Sequence, residues 1–218
     1  MTTVASRPKV VVADYGVGNL FSVCRSLDHM GAAVELTGDP DVIAAADRLV
    51  VPGVGAFGRC MEALNNHGLV EPILAQARSG RPWLGICVGM QMMLEASEEF
   101  GDHAGLGLVK GRVCALPAST SEGKALKVPH IGWNQLQPAA GADWAGTPLA
   151  ETTPGTCVYF VHSYVAQPED PSVRLAEVVY GGHPLTVAIR QDNAFGVQFH
   201  PEKSAEAGLT IVRAFLSL

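Results

Sequence analysis

The stretch Arg81-Pro-Trp-Leu-Gly-Ile-Cys-Val-Gly-Met-Gln91 decides the reading of the fold. Trp83–Ile86 is a short apolar run that predicts a strand, and Met90–Glu99 reads as a helix. Between them Gly85-Ile-Cys-Val-Gly89 forms a glycine-bounded turn. A strand passing directly into a helix is one βα unit, and the same alternation recurs outward from it. Lys9–Asp14 is a β-branched run ending in the Gly-rich turn Tyr15–Gly18. Asn19–Met30 sets Leu20, Val23, Cys24, Leu27 and Met30 on one helical face, and Gly31 follows as a C′ glycine. Ala33–Leu36 and Arg48–Val51 read as strands, and Asp41–Ala46, Phe57–Asn66 and Val70–Arg78 as helices. This order implies an α/β fold with a mostly parallel central sheet flanked by helices.

After residue 100 the pattern changes. Leu108–Leu116, Asn134–Gln137, Thr156–Val161, Arg174–Val179, Thr186–Arg190 and Ala194–Phe199 read as strands with few helices between them, which predicts antiparallel additions to the sheet. Ala139–Pro154 reads as a surface loop and Ala205–Leu218 as a closing helix. The 218 residues show no composition break long enough for an interdomain linker, so 9–218 is expected to be one domain behind a loose leader, 1–8.

Composition excludes several function classes. With 48% apolar and 17% charged residues the chain is neither disordered nor a coiled coil. The net charge of −6 offers no basic field for nucleic acid. No stretch approaches a membrane span, and Val10–Ala13 is too short for a signal-peptide core. Five cysteines without a C-x-x-C pair argue against a disulfide framework or a zinc ribbon and suggest a reducing, cytoplasmic setting. No metal or cofactor is expected.

Three segments carry chemistry. G-x-C-x-G between strand and helix has the mechanics of a nucleophile elbow with Cys87 as the nucleophile. A helix N-terminus favours a thiolate, and the Val88 N–H can hold one side of an oxyanion. The bland alternative is a buried structural cysteine in a tight turn; packing is the reading for the other four cysteines. The second segment is Gly196-Val-Gln-Phe-His-Pro-Glu202. In extended backbone residues two apart share a side, so Glu202 can take the Nδ1 proton of His200 and leave Nε2 as the base. Alone, it would be an edge-strand His beside a surface Glu. Ligands bind outside the carboxyl ends of such strands, and there elbow, base and orienting acid meet. The third segment, Pro52-Gly-Val-Gly55, allows close approach of backbone to a ligand. A phosphate cradle is disfavoured because no Lys-Ser or Lys-Thr follows. Gly53 or Val54 is the expected second oxyanion donor. Gln91, four residues after Cys87, falls on the same helical face as the thiol and can bind the substrate's polar end.

Together these segments resemble the class I (triad-type) glutamine amidotransferases, whose order Cys…His…Glu is the order here. The resemblance covers the chain from about residue 9. Asp14-Tyr-Gly-Val-Gly-Asn-Leu20, Pro52-Gly-Val-Gly-Ala-Phe57, Pro129-His-Ile-Gly-Trp-Asn134, Tyr159-Phe-Val-His-Ser-Tyr164 and Phe199-His-Pro-Glu-Lys-Ser204 are similar to the glutaminase subunits of imidazole glycerol phosphate synthase. The G-x-G at 16–18 is no dinucleotide turn, because Phe21 stands where a third Gly is required. The resemblance implies a flavodoxin-like fold, glutamine hydrolysis through a Cys87 thioester, and substrate contacts from Gly55, Gln91, Glu99 and the backbone of His162, Ser163 and Tyr164. It also implies a heterodimer with a (β/α)8-barrel cyclase that receives the ammonia, with Asn19, Trp133, Asn134, Tyr159 and Lys203 at the interface. Rival readings are the glutaminase of another amidotransferase, a stand-alone thiol hydrolase, and an inert interaction module that kept the fold.

Overall fold

The computed structural model describes residues 7–218. Its first half follows the expected alternation: β1 (Lys9–Ala13), α1 (Leu20–His29), β2 (Ala33–Thr37), α2 (Pro40–Ala44), β3 (Leu49–Gly53), α3 (Phe57–Asn66), α4 (Val70–Arg78), β4 (Trp83–Cys87) and α5 (Val88–Gln91). Every residue of β3 and β4 is buried, as strands covered on both faces must be. The helices are amphipathic; α3 buries Phe57, Cys60, Met61 and Leu64 and leaves its other face to water. The Asp39 carboxylate caps α2 by accepting from the Asp41 and Val42 N–H groups at 2.9 and 3.4 Å.

The second half adds β5 (Leu94–Ser97), β6 (His103–Ala104), β7 (Val109–Ala115), β8 (His130–Gln135), β9 (Gln137–Pro138), β10 (Cys157–His162), β11 (Tyr164–Pro168), β12 (Arg174–Tyr180), β13 (His183–Gln191) and β14 (Ala194–Val197). A 3-10 turn at Pro201–Lys203 and α6 (Ala205–Leu216) close the chain. The main sheet runs β2-β1-β3-β4-β14-β13-β12-β9. Its first five strands are mutually parallel and the rest join antiparallel. A second sheet runs β11-β7-β5-β6, and β10 pairs with β8 alone. The carboxyl ends of β1, β3, β4 and β14 therefore lie side by side.

The structure departs from the expected helix over Met90–Glu99. The helix stops after one turn at Gln91, and Leu94–Ser97 pairs in parallel with β7. The local composition favours a helix, but the carbonyls it would use internally are taken elsewhere. Leu106, Val109 and Gly107 donate to the oxygens of Met92, Met93 and Leu94 at 2.8, 2.9 and 3.2 Å. Met90 to Leu94 are all buried, so the segment has no solvent face around which to stay helical.

Other boundaries move less. The strand expected at Asn134–Gln137 begins at His130, and β11 adds a strand at Tyr164–Pro168 that the sequence pattern does not predict. The Ala139–Pro154 segment has no regular structure, but it is not simply surface. Trp144, Thr147 and Leu149 are buried, and the Trp144 indole donates to the Leu175 carbonyl at 2.8 Å. Of the expected leader, residues 1–6 lie outside the described residues. The Pro8 carbonyl accepts from Ala33 N at 2.8 Å, and the Arg7 guanidinium bonds the Asp28 carboxylate and the Gly31 and Ala32 carbonyls. No helix among the described residues is long and apolar enough to cross a membrane.

Candidate active site

Cys87 ends β4 and begins α5 with φ 56° and ψ −111°. This is left-handed space that an L-residue enters at a cost of about 1–3 kcal/mol. The sequence suggests that the flanking glycines make the turn, but neither Gly85 nor Gly89 has positive φ. They are needed for close packing instead. A Cβ on Gly89 would collide with the Val51 carbonyl, and one on Gly85 would lie 2.6 Å from the Gly89 carbonyl. The main chains of β3, β4 and α5 thus pack at a distance only glycine permits, and the cysteine takes the strain.

His200 follows β14. Its N–H donates to the Tyr159 carbonyl at 3.0 Å, and its carbonyl accepts from the Ser204 hydroxyl at 2.7 Å. The Ser204 oxygen also accepts from Tyr159 N at 2.9 Å, tying the turn to β10. The Glu202 carboxylate accepts from the His200 Nδ1–H at 2.9 Å, with both side chains almost wholly buried. Pro201–Lys203 is a 3-10 turn rather than extended chain, so the turn brings the two together. His200 Nε2 is buried without a hydrogen bond, so no other group competes with the thiol for the proton there. Burial disfavours the imidazolium, but the neighbouring Cys87 sulfur and Glu202 carboxylate override it and raise its pKa to about 9. Nε2 is near enough to the sulfur for that influence, although the two form no well-aligned hydrogen bond in this state.

The third segment closes the site. Gly53 stands opposite Cys87 in the β3–β4 register, and a Cβ there would lie 2.9 Å from Gly89 N and from the Val88 side chain. Gly55 needs its glycine for another reason, a φ of 86°. Two side chains not singled out from the sequence hold this loop. The Tyr15 hydroxyl donates to the Pro52 carbonyl, and the Cys60 thiol donates to the Val54 carbonyl at 3.5 Å. Burial raises the pKa of Tyr15 well above its usual value and that of Cys60 to about 11, so both keep their protons. The spacing of Tyr15 after β1, at the carboxyl edge, is the signal that would have found it.

The expected substrate residues have mixed surroundings. Gln91 is buried; its Nε2 donates to the Gln198 Oε1 at 2.9 Å and to the Tyr164 carbonyl at 3.2 Å. Glu99 lies beyond β5 rather than on a helix, and its Oε2 accepts from Phe57 N at 2.6 Å, capping α3 just after the loop. An open depression of about 460 Å³ beside it is bordered by Ala56, Arg59, Glu99 and Phe100. The Ser163 carbonyl accepts from Leu116 N at 2.9 Å. His162 Nδ1 donates to the Tyr164 carbonyl at 2.8 Å, and its Nε2 accepts from His130 Nδ1 at 2.9 Å. Burial holds the His162 pKa down to about 4, which keeps this ring neutral. A groove of about 1140 Å³ along β1, β2 and α1 contains none of these residues.

Of the residues expected at an interface, Trp133 and Tyr159 meet across the β8–β10 pair with ring centroids 6.1 Å apart. Trp133 and Ile131 are each 54% exposed on the outward face. Asn134 faces the other side, and its Nδ2 donates to the Val179 carbonyl at 3.0 Å. Asn19 precedes α1 without capping it through its side chain, and Lys203 is exposed beside the His200 turn. The other cysteines do not all serve packing: Cys60 is buried, Cys24 and Cys114 are partly exposed, and Cys157 is exposed.

Comparison with known proteins agrees with this geometry. Residues 11–217 match the class I glutamine amidotransferase family. The HisH 1 subunit of imidazole glycerol phosphate synthase from Legionella pneumophila (strain Lens) is 49% identical over 210 residues, covering 96% of this chain and 99% of that one. The HisH subunit from Syntrophotalea carbinolica is 48% identical over 208 residues, 94% and 98% of the two chains. Among solved structures, PurLQS from Thermotoga maritima superposes with a TM-score of 0.71 over 97% of this chain and 99% of that chain at 19% identity, a likeness of fold. The chain belongs to the class I glutamine amidotransferases and, within them, to the HisH subunits of imidazole glycerol phosphate synthase.

Proposed function

We propose that this chain is the glutaminase subunit of an imidazole glycerol phosphate synthase, releasing ammonia from glutamine for a cyclase subunit in histidine biosynthesis. The observation that carries the reading is a strained Cys87 at the end of β4 beside an imidazole held by Glu202. His200 accepts the thiol proton, and the thiolate adds to the side-chain amide carbon of glutamine. The displaced electron pair goes to the carbonyl oxygen, which rests on the Val88 N–H and on an N–H from Gly53 or Val54. His200 then protonates the amide nitrogen, the C–N bond breaks and ammonia leaves. Water, giving its proton to His200, attacks the glutamyl thioester and frees glutamate and the thiol. Gln91 has its amide donors committed within the chain, so its Oε1 is the atom left to accept from the substrate's ammonium.

The partner is a (β/α)8-barrel cyclase, and the outward face of β8 and β10 is the surface that fits it. Exposed aromatics such as Trp133 make good anchors, and Tyr159 connects that face to His200 through the main chain. The test is the separability of the two half-reactions. Cys87→Ala in the reconstituted complex abolishes glutamine-dependent synthesis and leaves ammonia-supported synthesis intact. If both fall together, Cys87 is structural and the reading is wrong.

A further inference from the structure

We infer that Gln198 is a further catalytic residue, whose side-chain amide donates a hydrogen bond to the Cys87 sulfur and holds it for attack. Gln198 is fully buried, at the bend that follows β14 and two residues before His200. Its Nε2 lies 3.7 Å from Sγ, within hydrogen-bond reach of sulfur. The inference rests on Cys87 being the nucleophile.

The orientation of this amide follows from the network. The Tyr164 carbonyl is an acceptor only, so the Gln91 atom 3.2 Å away must be its NH2. That NH2 also lies 2.9 Å from Gln198, whose facing atom must therefore be its oxygen. The Gln198 NH2 is thus turned to the sulfur. An amide anchored through a second amide to a main-chain carbonyl cannot rotate without stranding buried donors, which costs more than the bond itself. The sulfur meets a fixed donor on this side and His200 on another. Tyr15 and Cys60 also lie close enough to Cys87 to feel its charge, and burial keeps both neutral. Gln198 is thus a neutral donor that favours thiolate over thiol without competing for its proton, because an amide does not titrate in this range.

The test is the pH dependence of iodoacetamide alkylation at Cys87, read by peptide mass spectrometry so that exposed Cys157 is counted separately. In Gln198→Met and Gln198→Leu, which keep bulk but remove the donor, the alkylation midpoint moves up by about one pH unit, a tenfold loss of thiolate below it. A purely structural role would change stability and leave the midpoint in place; profiles that overlay the unsubstituted chain overturn the inference. A second measurement needs no variant at this site. The Gln198 side-chain amide resonance of the unsubstituted chain shifts when Cys87 is alkylated, and an unmoved resonance also overturns the inference. If Cys87 of the unsubstituted chain reacts no faster than Cys157, there is no activated nucleophile, and the proposed function falls as well.

Discussion

Replacing Glu202 with Gln isolates what holds His200 in place. The carboxylate accepts from Nδ1 at 2.9 Å with side-chain exposures of 1% and 3% for Glu202 and His200, so solvent screens the pair little. The folded-state pKa of His200 is raised from 6.5 to about 9, which corresponds to about 3 kcal/mol for the whole environment, Cys87 included. Cys87 is the larger raising influence and Glu202 the next, and a single hydrogen bond to a charged group is worth about 1.5–3 kcal/mol. Because the folded pKa is raised, this stabilisation is complete below the unfolded pKa and disappears as pH rises through the folded one. Glu202→Gln therefore lowers the His200 midpoint by at least about one unit. It also destabilises the fold most below about pH 6.5, with the difference shrinking by about pH 10. Heteronuclear NMR of the imidazole nitrogens follows the first effect and urea unfolding at the two pH values the second. Glutamine hydrolysis falls by about 10²-fold or more. An unchanged His200 midpoint in a folded variant would refute the claim that Glu202 orients and charges this ring.

Gly89→Ala reverses the usual benefit of alanine in a helix, because its Cβ meets the Val51 carbonyl; urea unfolding should register a loss of about 1–3 kcal/mol or more. The same variant should lose glutaminase activity, since β3 carries the Gly53 loop that must shift to make room. Tyr15→Phe leaves the buried Pro52 carbonyl without its donor; it should cost about 1–3 kcal/mol and lower kcat more than it raises KM for glutamine. Trp133→Ala should weaken association with the cyclase by about 2 kcal/mol, measured by calorimetry, while Cys87 in the isolated chain still reacts with a glutamine-like electrophile.

The parallel half of the fold was legible because each βα unit has its own punctuation, such as Gly31 after α1 and Pro52-Gly53 at the end of β3. Met90–Glu99 was misread because composition reports what a segment prefers alone, whereas Leu106, Gly107 and Val109 take its carbonyls only once folded. Strand β11 was missed for a related reason, since its partner β7 lies far away in sequence. At the site, Cys87, His200 and Glu202 stood out because their chemistry is encoded over short spacings. Gln198 lies in the Gly196–Glu202 segment, but only the folded network shows its amide meeting Cys87. Gly85 and Gly89, read as making the turn, matter instead for contact distance, whereas Gly55 does need its positive φ. Nothing local to residue 99 announces that Glu99 caps a helix 42 positions earlier.

The backbone of Cys87 has a bearing on how such a chain diverges. At φ 56° and ψ −111° the residue sits where glycine rests comfortably and every other L-residue is strained. Replacing it with Gly would therefore relax the main chain, whereas Ala or Ser would inherit the strain. In a copy freed from glutamine hydrolysis, drift at this position runs downhill toward glycine, and the gain of about 1–3 kcal/mol is a large fraction of ordinary folding stability. Retaining a thiol there opposes that gradient in every generation. A relative with the same elbow and a glycine at its apex would mark a lineage that has surrendered the chemistry and kept the scaffold.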